Sequence, residues 1–159
     1  MLICACASPQ RVERASEPLP SAIADAELQT VAGGTIRLSD LRGQVVLLDV
    51  WAAWCGPCRE SLPAYAKLQR ELGPRGFAVV AVSVDEDAGV VRRQLDADPV
   101  PFAVVLDPEG RVPEALGVDA MPECFLVDRD GRIRLRHRGF HGGDDEKLRR
   151  EIVRLIDGG

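Results

Sequence analysis

"VWAAWCGPCRESLPAY", residues 50–65, sets two cysteines two residues apart just after an apolar run. That run, VVLLDVW from Val45 to Trp51, is broken only by Asp49 and has the length and continuity of a strand buried on both faces. After the cysteines, Leu62, Tyr65, Leu68 and Leu72 recur at helical spacing; Pro63 predicts a kink, and Gly73 and Gly76 close the helix. A strand, Trp-Cys-Gly-Pro-Cys and a helix place Cys55 at a helix N-terminus, where unpaired amide N–H groups favour negative charge. The thiol pKa is lowered there, so a thiolate is available near neutral pH. Cys58 lies one turn further in, close enough to close a small ring and less exposed. The expectation is a redox pair in which Cys55 is the nucleophile and Cys58 the resolving thiol, with Gly56 and Pro57 shaping the turn.

The other cysteines do not suggest another use for this pair. Cys4 and Cys6 sit one residue apart in a segment without periodicity, and Cys124 stands alone. An odd, uneven set of five does not make a disulfide scaffold, and no second close pair faces Cys55 and Cys58 to complete a zinc site. No metal and no other cofactor is expected. Cys124 reads as a packed core thiol. His137 and His141 are four residues apart but fall at a strand end and in a Gly-rich loop, and both read as surface residues.

At 159 residues the chain is one domain with a tail, and its net charge of −5 with scattered arginines implies no affinity for nucleic acid. No run has the length of a membrane span. Residues 1–22 are expected to be a flexible tail, with the folded domain over 23–159. The opening MLICACASPQ lacks a basic n-region, and two readings of it stay open. One is a frayed terminus. The other is the remnant of a lipoprotein signal ending at Cys6, followed by a Pro/Ser-rich tether and implying a lipid anchor.

From Ala26 the pattern is regular. AELQTVAGGTIRL predicts a hairpin around Gly33-Gly34, SDLRGQ a turn, and FAVVAVSV (Phe77 to Val84) a second buried strand. DEDAGVVRRQLDAD reads as a helix, FAVVL as a short strand, VPEALGV as a helical turn, CFLVD with RIRLRHR as a hairpin, and DDEKLRREIVRLI as an amphipathic helix. The order is a hairpin, β-α-β-α-β, a hairpin and a helix, which predicts an α/β sandwich around a mixed central sheet flanked by helices. Asp49 is the chemical oddity. An acid inside an apolar strand is costly to bury and should have a raised pKa. Placed beneath the disulfide, it would accept and return the proton of Cys58.

With GGTIRLSDLRGQVVLLDVWAAWCGPCRESLP and MPECFLVDRDGRI in place, the chain resembles the thioredoxin superfamily. More closely it resembles the TlpA/ResA-like (DsbE-like) thiol–disulfide oxidoreductases found outside the bacterial cytoplasm. The likeness covers residues 26–157 and implies a thioredoxin-like fold with an N-terminal β-hairpin and an inserted helix-strand segment between Val84 and Ala120. It implies that Pro122 is a cis-proline against the disulfide, that the Met121 backbone pairs with an extended substrate segment, and that Trp54 is an aromatic lid. Trp51 reads as core. The chain departs from the pattern at Ser61, where relatives commonly have glutamate, and at Asp49, which matches cytoplasmic-type thioredoxin; FAVVAVSV lacks thioredoxin's nearby lysine.

The resemblance implies a protein-disulfide reductase, with apocytochrome c as one candidate client and cytochrome c maturation or extracytoplasmic redox homeostasis as the setting. A periplasmic protein of this kind would draw on a membrane electron donor of the DsbD/CcdA type. The competing functions on the same fold are a peroxiredoxin-like antioxidant enzyme and a copper-handling metallochaperone. The first needs a Pro-x-x-x-Thr-x-x-Cys loop, which this sequence lacks; the second uses a wider cysteine spacing and a downstream histidine ligand.

Overall fold

The computed structural model describes residues 3–4 and 11–158. A six-stranded mixed sheet runs in the order β2-β10-β9-β5-β6-β7. Its centre is β5 (Val45–Trp51), every residue of which is buried, so the apolar run is a strand covered on both faces. β6 (Phe77–Ser83) and β7 (Ala103–Leu106) continue parallel on one side. The crossovers are α2 (Gly56–Leu72) and α3 (Ala88–Ala97). On the other side β9 (Glu123–Val127), β10 (Arg132–Arg138) and β2 (Arg11–Pro18) are antiparallel. α1 (Ser21–Ala24) leads to the small hairpin of β3 (Leu28–Gln29) and β4 (Thr35–Ile36), turned at Gly33 and Gly34, both at positive φ. α4 (Arg111–Leu116) and β8 (Ala120–Met121) precede β9, and α5 (Asp144–Ile156) ends the fold. β1 (Ile3–Cys4) pairs in parallel with β8.

Strand alternation sorts the side chains into two layers. Val45, Leu47, Asp49 and Trp51 share the face covered by α2 and α5, which also pack on each other. Val46 and Leu48 point the other way, toward Ala24 and Leu38. α2 keeps Leu62, Tyr65, Leu68 and Leu72 buried and runs on through Pro63. The segment between β4 and β5, expected as a turn, contains one 3₁₀ turn at Leu38–Leu41.

The expected tail is corrected over much of its length. Residues 11–18 form the edge strand β2, which pairs with β10 from Pro18 against Arg132 to Arg11 against Arg138. Residues 21–24 are already helical. RVERASEP shows little hydrophobic alternation because an edge strand with one solvated face takes its order from backbone pairing with a distant partner. Cys6 and the rest of residues 5–10 lie outside the described residues.

Candidate active site

Cys55 is the N-cap of α2, Gly56 its first residue and Pro57 its second, and Cys58 follows at the third position. Cys55 and Cys58 are joined by a disulfide, with Cα atoms 5.3 Å apart. The loop that presents them is pinned from below. The Cys55 amide donates to the Ala52 carbonyl at 3.1 Å, and the Ala53 amide donates to Asp85 Oδ2 at 2.9 Å. The Ser83 hydroxyl donates to the same oxygen at 2.7 Å. Asp85 is inconspicuous in the sequence; its one signal is its position just past the C-terminal end of a buried parallel strand. A Cβ on Gly56 would meet open space, so the outer face of the turn is free for a partner.

The two thiols do not differ in exposure, contrary to expectation: both are 0% exposed. Trp54, beside them, is 55% exposed, while Trp51 is fully buried. The Met121–Pro122 bond is cis. In the β5–β9 register, Asp49 faces Cys124 and Val50 faces Glu123; one step further, Pro122 comes level with Trp51, at the strand end from which the cysteine loop springs. The Met121 backbone is paired with Cys4, so the edge beside the cis-proline is held by the chain's own β1.

Under α2 lies a buried polar group of four. Asp49 is fully buried, and neither of its carboxylate oxygens makes a hydrogen bond of ordinary geometry among the described residues. Burial pushes its carboxyl well above the usual range; only the nearby Tyr65 hydroxyl opposes the rise. Tyr65 is pushed up by burial, then by Cys124 and Asp49, and its ring meets Phe140 edge-on with centroids 5.8 Å apart. Cys124 is a buried free thiol, raised first by burial and then by the Asp49 charge. Ser61 donates to the Cys58 carbonyl at 2.8 Å. Helical spacing puts Cys58, Ser61 and Tyr65 on the inner face of α2, over the side of β5 that carries Asp49.

His137 corrects another expectation. It is 1% exposed, on the inner face of β10, with Nε2 3.3 Å from Asp144 Oδ2. Burial lowers its pKa despite Asp144. The signal that would have found it is the alternation Ile133, Leu135, His137 in RIRLRHR, which sets His137 in phase with the core. His141 is exposed, so the two histidines do not converge as ligands. Among the described residues no group of three or more His, Cys, Asp or Glu side chains is placed to hold a metal.

With this geometry in place, comparison with known proteins is specific. The AhpC/TSA family model matches residues 20–136. The chain belongs to the AhpC/TSA family. Within that thioredoxin-like group it is similar to thiol-disulfide oxidoreductase ResA of Bacillus subtilis (strain 168): 35% identical over 106 residues, which are 67% of this chain and 59% of the relative. Thioredoxin-like protein YneN of the same organism is 36% identical over 118 residues, 72% of this chain and 68% of its own. Among solved structures, a candidate thiol:disulfide interchange protein DsbE from Chlorobium tepidum superposes with a TM-score of 0.83 at 39% identity, covering 91% of this chain and 98% of that one. The fold is thus a mixed α/β thioredoxin-like sheet flanked by helices. The chain spans 59% of the Bacillus subtilis ResA to which it is similar.

Proposed function

We propose that the protein is a thiol–disulfide oxidoreductase that reduces protein disulfides through the Cys55–Cys58 dithiol. The observation that carries this reading is the disulfide at the N-terminus of α2, at the end of the central strand and level with cis-Pro122. The Cys55 thiolate, favoured by the helix terminus, attacks one sulfur of the client disulfide, and the other client sulfur leaves as a thiolate. Cys58 then gives its proton to Asp49 and displaces the client sulfur from Cys55. The Cys55–Cys58 bond forms, and two electrons have passed to the client. The carboxyl of Asp49, pushed up by burial, suits a group that takes a proton and returns it.

The client is an extended segment that pairs with the Met121 backbone beside Pro122, replacing β1 on that edge. Trp54, half exposed beside the cysteines, is the surface it meets first. Kinship with ResA favours an extracytoplasmic site of action, apocytochrome c as client and a membrane donor of the DsbD/CcdA type as source of electrons. No helix of the described residues is long and apolar enough to cross a membrane. A lipid at Cys6 would tether the chain to one. The peroxidatic alternative is disfavoured: the only cysteines at the head of α2 are those of WCGPC.

Insulin reduction coupled to dithiothreitol tests the reading. The protein should accelerate precipitation of the insulin B chain, and Cys55→Ser should abolish the effect by about 10³-fold or more. Peroxide turnover matching insulin turnover, or a Cys55→Ser variant that keeps the activity, would overturn it.

A further inference from the structure

Three neighbouring strands each place one polar side chain on the face under α2 and α5, at the same level of the sheet. Asp49 on β5 is directly opposite Cys124 on β9, and Cys124 is directly opposite His137 on β10. Directly opposed residues share a face, with Cβ atoms about 5 Å apart, so the three span about 10 Å. All are 0–1% exposed, as are Ser61 and Tyr65, which cover the row from α2. The remaining inward positions of β5 and β10 are apolar or, at Trp51, aromatic. Beyond His137 the row turns to solvent. Asp144 Oδ2 lies 3.3 Å from His137 Nε2 and accepts the His141 amide at 2.9 Å. Asp144 Oδ1 accepts Lys147 Nζ at 2.9 Å, and the Lys147 side chain is half exposed. A surface hollow bordered by Val12, His137, Lys147 and Glu151 opens there.

We propose that Asp49, Cys124 and His137 form a proton relay that connects Cys58 to solvent at the α5 end of the sheet, with Cys124 and His137 as positioning residues acting through Asp49. The proposal rests on the reading of Asp49 as the acceptor of the Cys58 proton. As Cys58 attacks Cys55, its proton passes to Asp49, a proton passes from Asp49 to Cys124, and the Cys124 thiol proton passes to a His137 ring nitrogen. His137, held against the Asp144 carboxylate, gives its proton to water in the hollow. Cys124 ends with one proton, as it began, and the relay moves no electrons. Asp49, Cys124 and His137 are consecutive across the β5–β9–β10 register, so the row leads from the carboxyl under the cysteines to the α5 edge of the sheet. The groups facing it are Ser61 and Tyr65 from α2, Asp144 and Lys147 from α5, His141 from the loop before α5, and Glu123 beside Cys124.

The test uses the full-length reduced protein mixed with oxidised glutathione, quenched with acid and weighed, so that decay of the Cys55–glutathione adduct reports Cys58 attack. Asp49→Asn, Cys124→Ala, Cys124→Ser and His137→Gln are compared with the wild type in H₂O and D₂O, from about pH 5 to 9. The relay predicts that Cys124→Ala and His137→Gln slow resolution about tenfold and shift its pH profile. Cys124→Ser, whose hydroxyl can also pass a proton, should return to within about twofold of wild type with a solvent isotope effect. If Cys124→Ser is as slow as Cys124→Ala, the effect is packing and the relay is overturned. Should Asp49→Asn be slow while Cys124→Ala and His137→Gln match wild type, Asp49 works alone and the row carries no proton. A wild-type rate for Asp49→Asn removes the acceptor reading and the relay with it. The serine–alanine pair decides the matter even if His137→Gln does not fold.

Discussion

Asp49 and Asp144 are both fully buried on the same face of the sheet, yet their carboxyls move in opposite directions. Asp49 lies mid-strand among apolar neighbours, with only the Tyr65 hydroxyl near enough to help, and burial pushes it up. Asp144 begins α5, where burial also acts upward but is outweighed by Lys147, the His141 amide and His137, which hold it down. Burial alone therefore does not decide which acid carries charge; the donors supplied by the local backbone and helix turn do. One carboxyl is built to hold structure as an anion. The other has only the Tyr65 hydroxyl beside it, and burial disfavours its charge.

The largest expected effect breaks the structural half of that comparison. Asp144→Ala leaves the His141 amide, Lys147 and His137 without their shared acceptor, and urea unfolding should show a loss of about 3 kcal/mol. Asp49→Asn should act in the opposite sense. Because the folded pKa is raised, the native state binds a proton that the unfolded chain releases above about 3.8, so wild-type stability falls as pH rises from there to the folded pKa. The variant escapes that penalty. It should be more stable than wild type by roughly 2 kcal/mol at neutral pH, with the gap closing in acid. Equal stability of wild type and variant at every pH would show that Asp49 is not strained by burial.

His137 gives a smaller effect in a different window. Its folded pKa is lowered, so below the ordinary histidine value of about 6.5 the unfolded chain takes up a proton that the native state does not. Stability should therefore fall as pH drops through that range, by about 1 kcal/mol, and His137→Gln should flatten the slope. Asp144 titrates below the usual aspartate range, so its own contribution is lost only at more acid pH and the two can be separated. Smallest of all, Cys124→Ala should cost well under about 1 kcal/mol, as expected for a small packed thiol, while it slows resolution about tenfold.

The site was legible where local pattern and chemistry coincide. Val45–Trp51 is continuous enough to be central, WCGPC sits at the only point where a helix can start after it, and Asp49 is conspicuous because everything around it is apolar. The edge strand Arg11–Pro18 was not legible, since its order comes from β10, some 120 residues away in sequence, and eight mostly polar residues carry no trace of that. His137 was legible in principle through strand alternation, but a histidine among arginines at a strand end looks like surface until the phase is counted. Its meeting with Cys124 depends on the β9–β10 register, in which a bulge between Ile133 and Leu135 shifts the pairing in a way no short pattern encodes.

The central claim, that Cys55 and Cys58 are a reducing dithiol, is tested most directly by the potential of the pair. The purified protein is equilibrated in dithiothreitol or glutathione redox buffers, its free thiols are alkylated, and the products are weighed. The account predicts a reversible two-thiol transition near that of thioredoxin, roughly −270 mV, with Cys124 a free thiol throughout. A transition near −120 mV would mark an oxidant and contradict it, and the absence of any reversible Cys55–Cys58 disulfide would remove the enzyme altogether.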